Sequence, residues 1–226
     1  MSPSVAGPNG AAPEANTAPS RTAWVAAERL PGWLDRFRSS HGEFSVQPLD
    51  QELLLQAEDG SSATIAAPWP VDGRPGRGAD PLERLISMTS QARTVLLLLI
   101  RRGGYAVAVT RGGEVLHAKV GTRYVQSRTA AGGWSQQRFA RRRANQADAM
   151  IEAVAAHAAA LPLESAEYLV LGGDKKMAAA LIAEPVLSPL AKLKRLAFLD
   201  VPDPRAKVLE QAAKRVCSAF IRVTDA

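Results

Sequence analysis

Residues 94–120 read TVLLLLIRRGGYAVAVTRGGEVLHAKV. Thr94 to Ile100 is a continuous apolar run, the pattern of a strand covered on both faces and central in its sheet. Gly103-Gly104 and Gly112-Gly113 punctuate three β-rich runs, 95–101, 105–110 and 114–120, which predicts a meander of hairpins. Downstream, Phe139, Ala147, Met150, Ile151 and Val154 fall on one stripe of a long helix over 137–160. A buried-type strand at 168–171 turns at Gly172-Gly173 into a helix at 175–183. Another strand follows at 196–199 and a last helix at 204–219. Strands alternating with helices after an antiparallel meander predict an α/β domain: a mixed sheet flanked by helices.

Upstream, 82–92 reads as a helix leading into this core. The Pro, Gly, Asp and Arg of 68–81 have little to bury and read as a linker. Residues 22–67 read as a small N-terminal α+β subdomain. Trp24, Val25, Leu30, Trp33, Leu34 and Phe37 recur at near-helical spacing, interrupted by Pro31 and closed by Gly42. Extended runs follow at 44–48 and 52–56, and after Asp59-Gly60 at 63–67. Residues 1–21 carry almost no large apolar side chain and cannot offset the entropy of ordering, so they are expected to form a disordered tail. The expected division is therefore 1–21, 22–67, 68–81 and 82–226.

The chain has 226 residues, 46% of them hydrophobic, enough for one good core or a core plus a small subdomain. No apolar run approaches the roughly 20 residues of a membrane helix, and the first residues show no secretory signal pattern. A cytoplasmic protein, acting as a monomer and away from membranes, is expected. Cys217 is the only cysteine, which excludes an internal disulfide and any cysteine cluster for zinc. The net charge of +6 favours a polyanionic partner, because neutralising phosphates releases counterions.

That charge is concentrated. Between Glu114 and Asp148 no acidic residue occurs, yet Lys119, Arg123, Arg128, Arg138, Arg141, Arg142 and Arg143 all do. At 100° per residue, Arg138, Arg141, Arg142 and Asn145 share one side of the helix, opposite Phe139 and Met150. Directly before it, residues 130–137 read AAGGWSQQ. The glycines give backbone freedom, and a helix N-terminus offers free amides suited to a phosphate or a developing oxyanion. Ser135 is a candidate N-cap. Composition alone leaves two readings, a solvated basic helix behind a loop, or an RNA-binding face.

The run Gly132-Gly133-Trp134-Ser135-Gln136-Gln137-Arg138-Phe139-Ala140-Arg141 resembles, without a gap, the Gly-Gly-Gln loop and following Arg-Phe-Ala-Arg helix of eukaryotic and archaeal class I release factors. The nearest resemblance is to the Vms-like release factor family, in its actinobacterial branch, over about 82–226. It implies a ribonuclease-H-like α/β catalytic domain that reaches the peptidyl transferase centre of the large ribosomal subunit and separates the peptide from peptidyl-tRNA, with no cofactor. Trp134 stands where those factors carry the catalytic glutamine. Eukaryotic Vms-like members resemble a Gly-Ser-Gln-Ser pattern, which maps Ser-Gln onto Ser135-Gln136. Gln136 is thus the first candidate, Gln137 the second, and Gln126, upstream of the glycines, the third.

A glutamine amide does not titrate near neutral pH, so its work is positional: to orient a water or a ribose 2′-OH while backbone N–H groups hold the oxyanion. Ester hydrolysis and tRNA 3′-end cleavage both remain open. Arg123, Arg128, Arg138, Arg141 and Arg142 are the expected phosphate contacts, and Trp134 either stacks on a base or packs inside. The rival reading is a non-catalytic ribosome or RNA adaptor with a degenerate loop. A free ribonuclease would need clustered carboxylates for metals, which the loop region lacks. His41, His117 and His157 are scattered, with no i,i+4 pairing and no carboxylate partner expected; they read as surface or core histidines, and no metal is assigned. Gly172-Gly173-Asp174-Lys175-Lys176 lacks both dinucleotide and Walker spacing and reads as a structural turn; Lys175, Lys176, Lys192, Lys194 and Arg195 read as solvated charges that would add to an RNA face. Cys217 reads as a buried structural thiol.

Overall fold

The computed structural model of the chain describes residues 20–71, 74–122 and 134–226, with side chains at all of these except 134–145 and 191. In chain order the elements are β1 (Ser20–Val25), α1 (Leu30–His41), β2 (Phe44–Pro48), β3 (Glu52–Ala57), β4 (Ser62–Ala66), α2 (Pro81–Thr89), β5 (Thr94–Arg101), β6 (Gly104–Arg111), β7 (Glu114–Gly121), α3 (Trp134–Ala159), β8 (Tyr168–Gly173), α4 (Lys175–Ile182), β9 (Lys194–Arg195), α5 (Ala206–Val216) and β10 (Ala219–Thr224). Short 3-10 segments occupy Ala27–Arg29 and Pro185–Lys192. The architecture is mixed α/β with two five-stranded sheets.

The second sheet runs β7-β6-β5-β8-β9. The meander forms its antiparallel half, and β5 pairs in parallel with β8, as β8 does with β9. The apolar run of β5 divides by the two-residue period of a strand. Leu96, Leu98 and Ile100 enter one core with Met150, Val154 and Ala158 of α3 and Leu181 of α4, while Val95, Leu97 and Leu99 enter another with Leu209, Ala213 and Val216 of α5. All six are fully buried, at about 1.5–3 kcal/mol each relative to exposure.

The first sheet is antiparallel, β1-β10-β4-β3-β2. Helix α1 covers one face through Leu30, Leu34 and Phe37, which pack with Leu55, Ile65 and Ile221. Two sequence expectations are corrected here. Trp24 and Val25 belong to strand β1 rather than to a helix from Trp24; the backbone is still extended at Ala26 and turns helical only past it. The last helix stops at Val216 rather than 219, and Ala219 already starts β10, hydrogen-bonded between β1 and β4. The first sheet therefore draws on both ends of the described chain.

Residues 68–81 bury more than their composition promised. Trp69 is 2% exposed and stacks on Tyr168 at 5.6 Å. The Arg93 guanidinium lies 5.8 Å and 5.6 Å from the Trp69 and Tyr168 ring centroids. It also donates to Gln91 Oε1, to the Arg74 carbonyl and to the Tyr168 hydroxyl. A buried arginine demands this density of acceptors and ring faces, and the result ties Trp69 and the Arg74 backbone to Tyr168 of β8.

Candidate functional site

The glycine-flanked loop joins the end of β7 to the start of α3. Gln126, Arg123, Arg128, Gly132 and Gly133 lie outside the described residues. Trp134, Ser135, Gln136, Gln137, Arg138, Arg141 and Arg142 are on the backbone of the first turns of α3, with side chains outside the description. Ser135 is within the helix, one residue past its start, so it does not occupy the cap position expected from sequence. Trp134 to Gln137 form the first turn, where backbone N–H groups have no intrahelical acceptor. The two glutamines of this turn are about 100° apart around the axis.

What holds this turn in place is the far end of its own helix. Met150, Val154, Ala155 and Ala158 are buried against the second sheet, and His157 stacks on Tyr105 at 5.6 Å with an 18° interplanar angle. At 1.5 Å per residue, Trp134 is about 24 Å along the axis from Met150 and about 35 Å from His157. The candidate residues thus lie on the backbone at the end of the helix opposite this buried segment.

Tyr105 also fixes the other root of the loop. It pairs with Gly121, the last residue of β7, and its ring lies over that glycine: a Cβ there would be 2.5 Å from Tyr105 Cε1 and Cζ. Only a residue without a side chain lets the ring cross the strand end to reach His157. Around this root, Arg101 donates from Nε to the Val201 carbonyl at 2.5 Å and pairs with Asp200 at 2.8 Å. Gly104 is close-packed on the Gly121 and Pro204 carbonyls. Val201, Asp200 and Pro204 are so held at the carboxyl end of β5 and the amino end of β6. Sequence reading did not identify Tyr105, Gly121 or Arg101; the signal available was an aromatic opening β6 opposite a glycine closing β7, visible only once the hairpin register is known.

The turn after β8 is occupied by its own cap. Asp174 accepts from the Lys176 and Met177 amides at 2.9 and 3.0 Å, Gly172 packs on Leu199, and Gly173, at φ +95°, on the Ile100 carbonyl. Lys175 lies over the Phe198 ring at 5.9 Å, and Lys176, Lys192, Lys194 and Arg195 are exposed. His41 does have a carboxylate, contrary to the expectation from sequence: its Nδ1 is 2.9 Å from Asp59 Oδ2, a contact across eighteen positions that the β3–β4 turn closes. This hydrogen bond, aided by the Ser61 amide, holds Asp59 below the usual carboxylate value. Among the described residues no cluster of three metal-ligating side chains occurs, and no helix is long and apolar enough to cross a membrane.

A family model described as Actinobacteria/chloroflexi VLRF1 release factor matches residues 93–222, more than half of the chain and including the whole loop and α3. No curated protein matches the chain. Among solved structures, one described as "Vms1 mitochondrial localization core" aligns with 87% of this chain and 84% of its own, at 12% identity and a TM-score of 0.39.

Proposed function

The chain belongs to the Actinobacteria/chloroflexi VLRF1 release factor family, and from that premise we propose that it acts in ribosome rescue, freeing nascent chains by cutting peptidyl-tRNA on the large subunit of stalled or split ribosomes. The observation that carries this reading is the family match across the loop and α3, on a helix whose first turn stands about 24 Å along the axis from Met150, its first core residue among the described side chains. A tip of that reach suits a reaction centre recessed in RNA.

In the reading, the first turn of α3 enters beside the terminal adenosine of the tRNA. Gln136, with Gln137 and Gln126 as the other candidates, orients the attacking oxygen, and the free first-turn amides face the oxyanion. In ester hydrolysis, water attacks the ester carbonyl, the tetrahedral oxyanion collapses, and the ribose oxygen leaves with a proton; the tRNA end stays intact. In tRNA cleavage, a ribose 2′-OH attacks the adjacent phosphodiester, giving a cyclic phosphate and a free 5′-OH. Arg138, Arg141 and Arg142, with Arg123 and Arg128, hold phosphates in either case. Trp134 at the position of the release-factor glutamine favours a second reading, a non-catalytic adaptor that keeps the arginine helix for docking.

The test incubates purified protein, Gln136→Ala, Gln137→Ala and Gln126→Ala with large subunits carrying labelled peptidyl-tRNA, and resolves peptide and tRNA 3′ ends on a denaturing gel. Release by the wild type, reduced about 100-fold or more in one glutamine variant as for loss of an oxyanion or positioning group, supports catalysis and names the residue. A shortened tRNA selects cleavage over hydrolysis. Tight, salt-sensitive subunit binding without release would sink catalysis and leave the adaptor.

A further inference from the structure

The face of the first sheet turned away from α1 holds two aromatic side chains on paired strands. Trp24 of β1 is directly opposite Phe220 of β10, and their rings meet at 4.8 Å and 48°. Alternation along the strands sends Val25 and Ile221 into the core and leaves Trp24 39% exposed. Each ring has an arginine over it: Arg215, from the end of α5, is 4.6 Å from the Trp24 centroid, and Arg222, two residues along β10, is 5.8 Å from that of Phe220.

The rest of this face is small and polar. The strand pairing continues the aromatic row into Ala66 and Glu52, and places Thr22, Arg222, Thr64, Leu54 and Gln47 in the next row. Glu52, two strands from Phe220, is the one carboxylate among the described residues of these rows. Arg222, Gln47 and Thr22 are exposed. An aromatic pair on this sheet face, framed by two guanidinium groups with a single carboxylate, Glu52, two strands away, has the composition that stacks an unpaired base and holds its phosphate.

We propose that the Trp24–Phe220 face is a second RNA-binding site, which takes an unpaired nucleotide by stacking its base on the guanidinium plane of Arg215 that caps Trp24, beside Phe220, with the exposed Arg222 turning to the backbone phosphate. Charge complementarity favours RNA over a protein partner: both cations frame the rings, and the whole chain is +6. Arg215 anchors the platform, since its NH1 reaches the Asp200 carbonyl at 3.4 Å while its guanidinium covers Trp24. The site is independent of the release chemistry and stands whether or not the loop is catalytic.

The experiment uses the full chain with labelled single-stranded and duplex oligoribonucleotides, by anisotropy and by quenching of tryptophan emission, at salt high enough to screen phosphate contacts. Trp24→Leu keeps apolar packing and is expected to weaken single-strand binding about tenfold, within the range measured for one stacked base, and to remove part of the quenching. Trp24→Tyr keeps a stacking ring and is expected to restore most of the affinity. Arg222→Gln is expected to lower the dependence of log affinity on log salt by about one contact. Unchanged single-strand affinity in a folded Trp24→Leu protein overturns the proposal. Unchanged oligonucleotide binding with weakened binding to intact large subunits also overturns it, and assigns the face to a ribosomal protein.

Discussion

Cys217 ends α5 beside the β6–β7 turn, with burial pushing its thiol up to about 11, partly offset by the Gly113 amide. The thiol is therefore neutral at physiological pH and a poor nucleophile. Because its ionisation lies higher in the folded chain than in the unfolded one, its contribution to stability is complete below about 9 and is lost as pH rises through about 11. Urea unfolding between these values should give a stability that falls with pH in the wild type and a flatter profile in Cys217→Ala. Alkylation at pH 8 should be slow until denaturant is added; fast native alkylation would contradict the burial. The apolar setting of this residue was legible from its neighbour Val216, although the side chain is half-buried rather than buried. The His41–Asp59 pair was not, because its partners are brought together by a turn whose register one sequence cannot give.

At the scale of elements, β7 and α3 meet through Tyr105. Gly121→Ala would put a methyl group within 2.5 Å of the Tyr105 ring, and His157 behind the ring limits its retreat. We expect a loss of about 1–3 kcal/mol, as for overpacking, seen as a lower urea midpoint at an unchanged slope. The double variant with Tyr105→Leu should recover part of it, and a wild-type midpoint in the single variant would mean that the ring swings clear. The meander itself was readable because paired glycines break three β-rich runs and the central run is apolar at every position, a pattern local to 27 consecutive residues. The ten-residue loop motif was readable for the same reason. Strand β1 was not, since Trp24 and Val25 happen to continue the helical spacing of α1 backwards; nor was β10, whose first residue, Ala219, reads as the end of the last helix. The anchor of the loop escaped because it joins residues from three elements far apart in sequence.

The whole molecule is two sheets whose chain leaves the first after β4, builds the second, and returns to insert β10 between β1 and β4. Removing residues 217–226 should therefore disrupt a sheet whose other strands are all present: among the described residues, β1 would lose its one partner strand and β4 one of two. The expected outcome is a red shift of tryptophan emission and loss of a single cooperative transition, and a truncated chain that melts as sharply as the intact one would refute it. The gap in that sheet has a further consequence during synthesis. Chains emerge from the ribosome amino end first, and β1 to β4 appear long before the strand that joins them. Until then β1 and β4 present unpaired edges, and pairings so distant in sequence form slowly. A protein proposed to rescue stalled ribosomes is thus itself vulnerable to a stall: a chain arrested anywhere before β10 leaves its first sheet open.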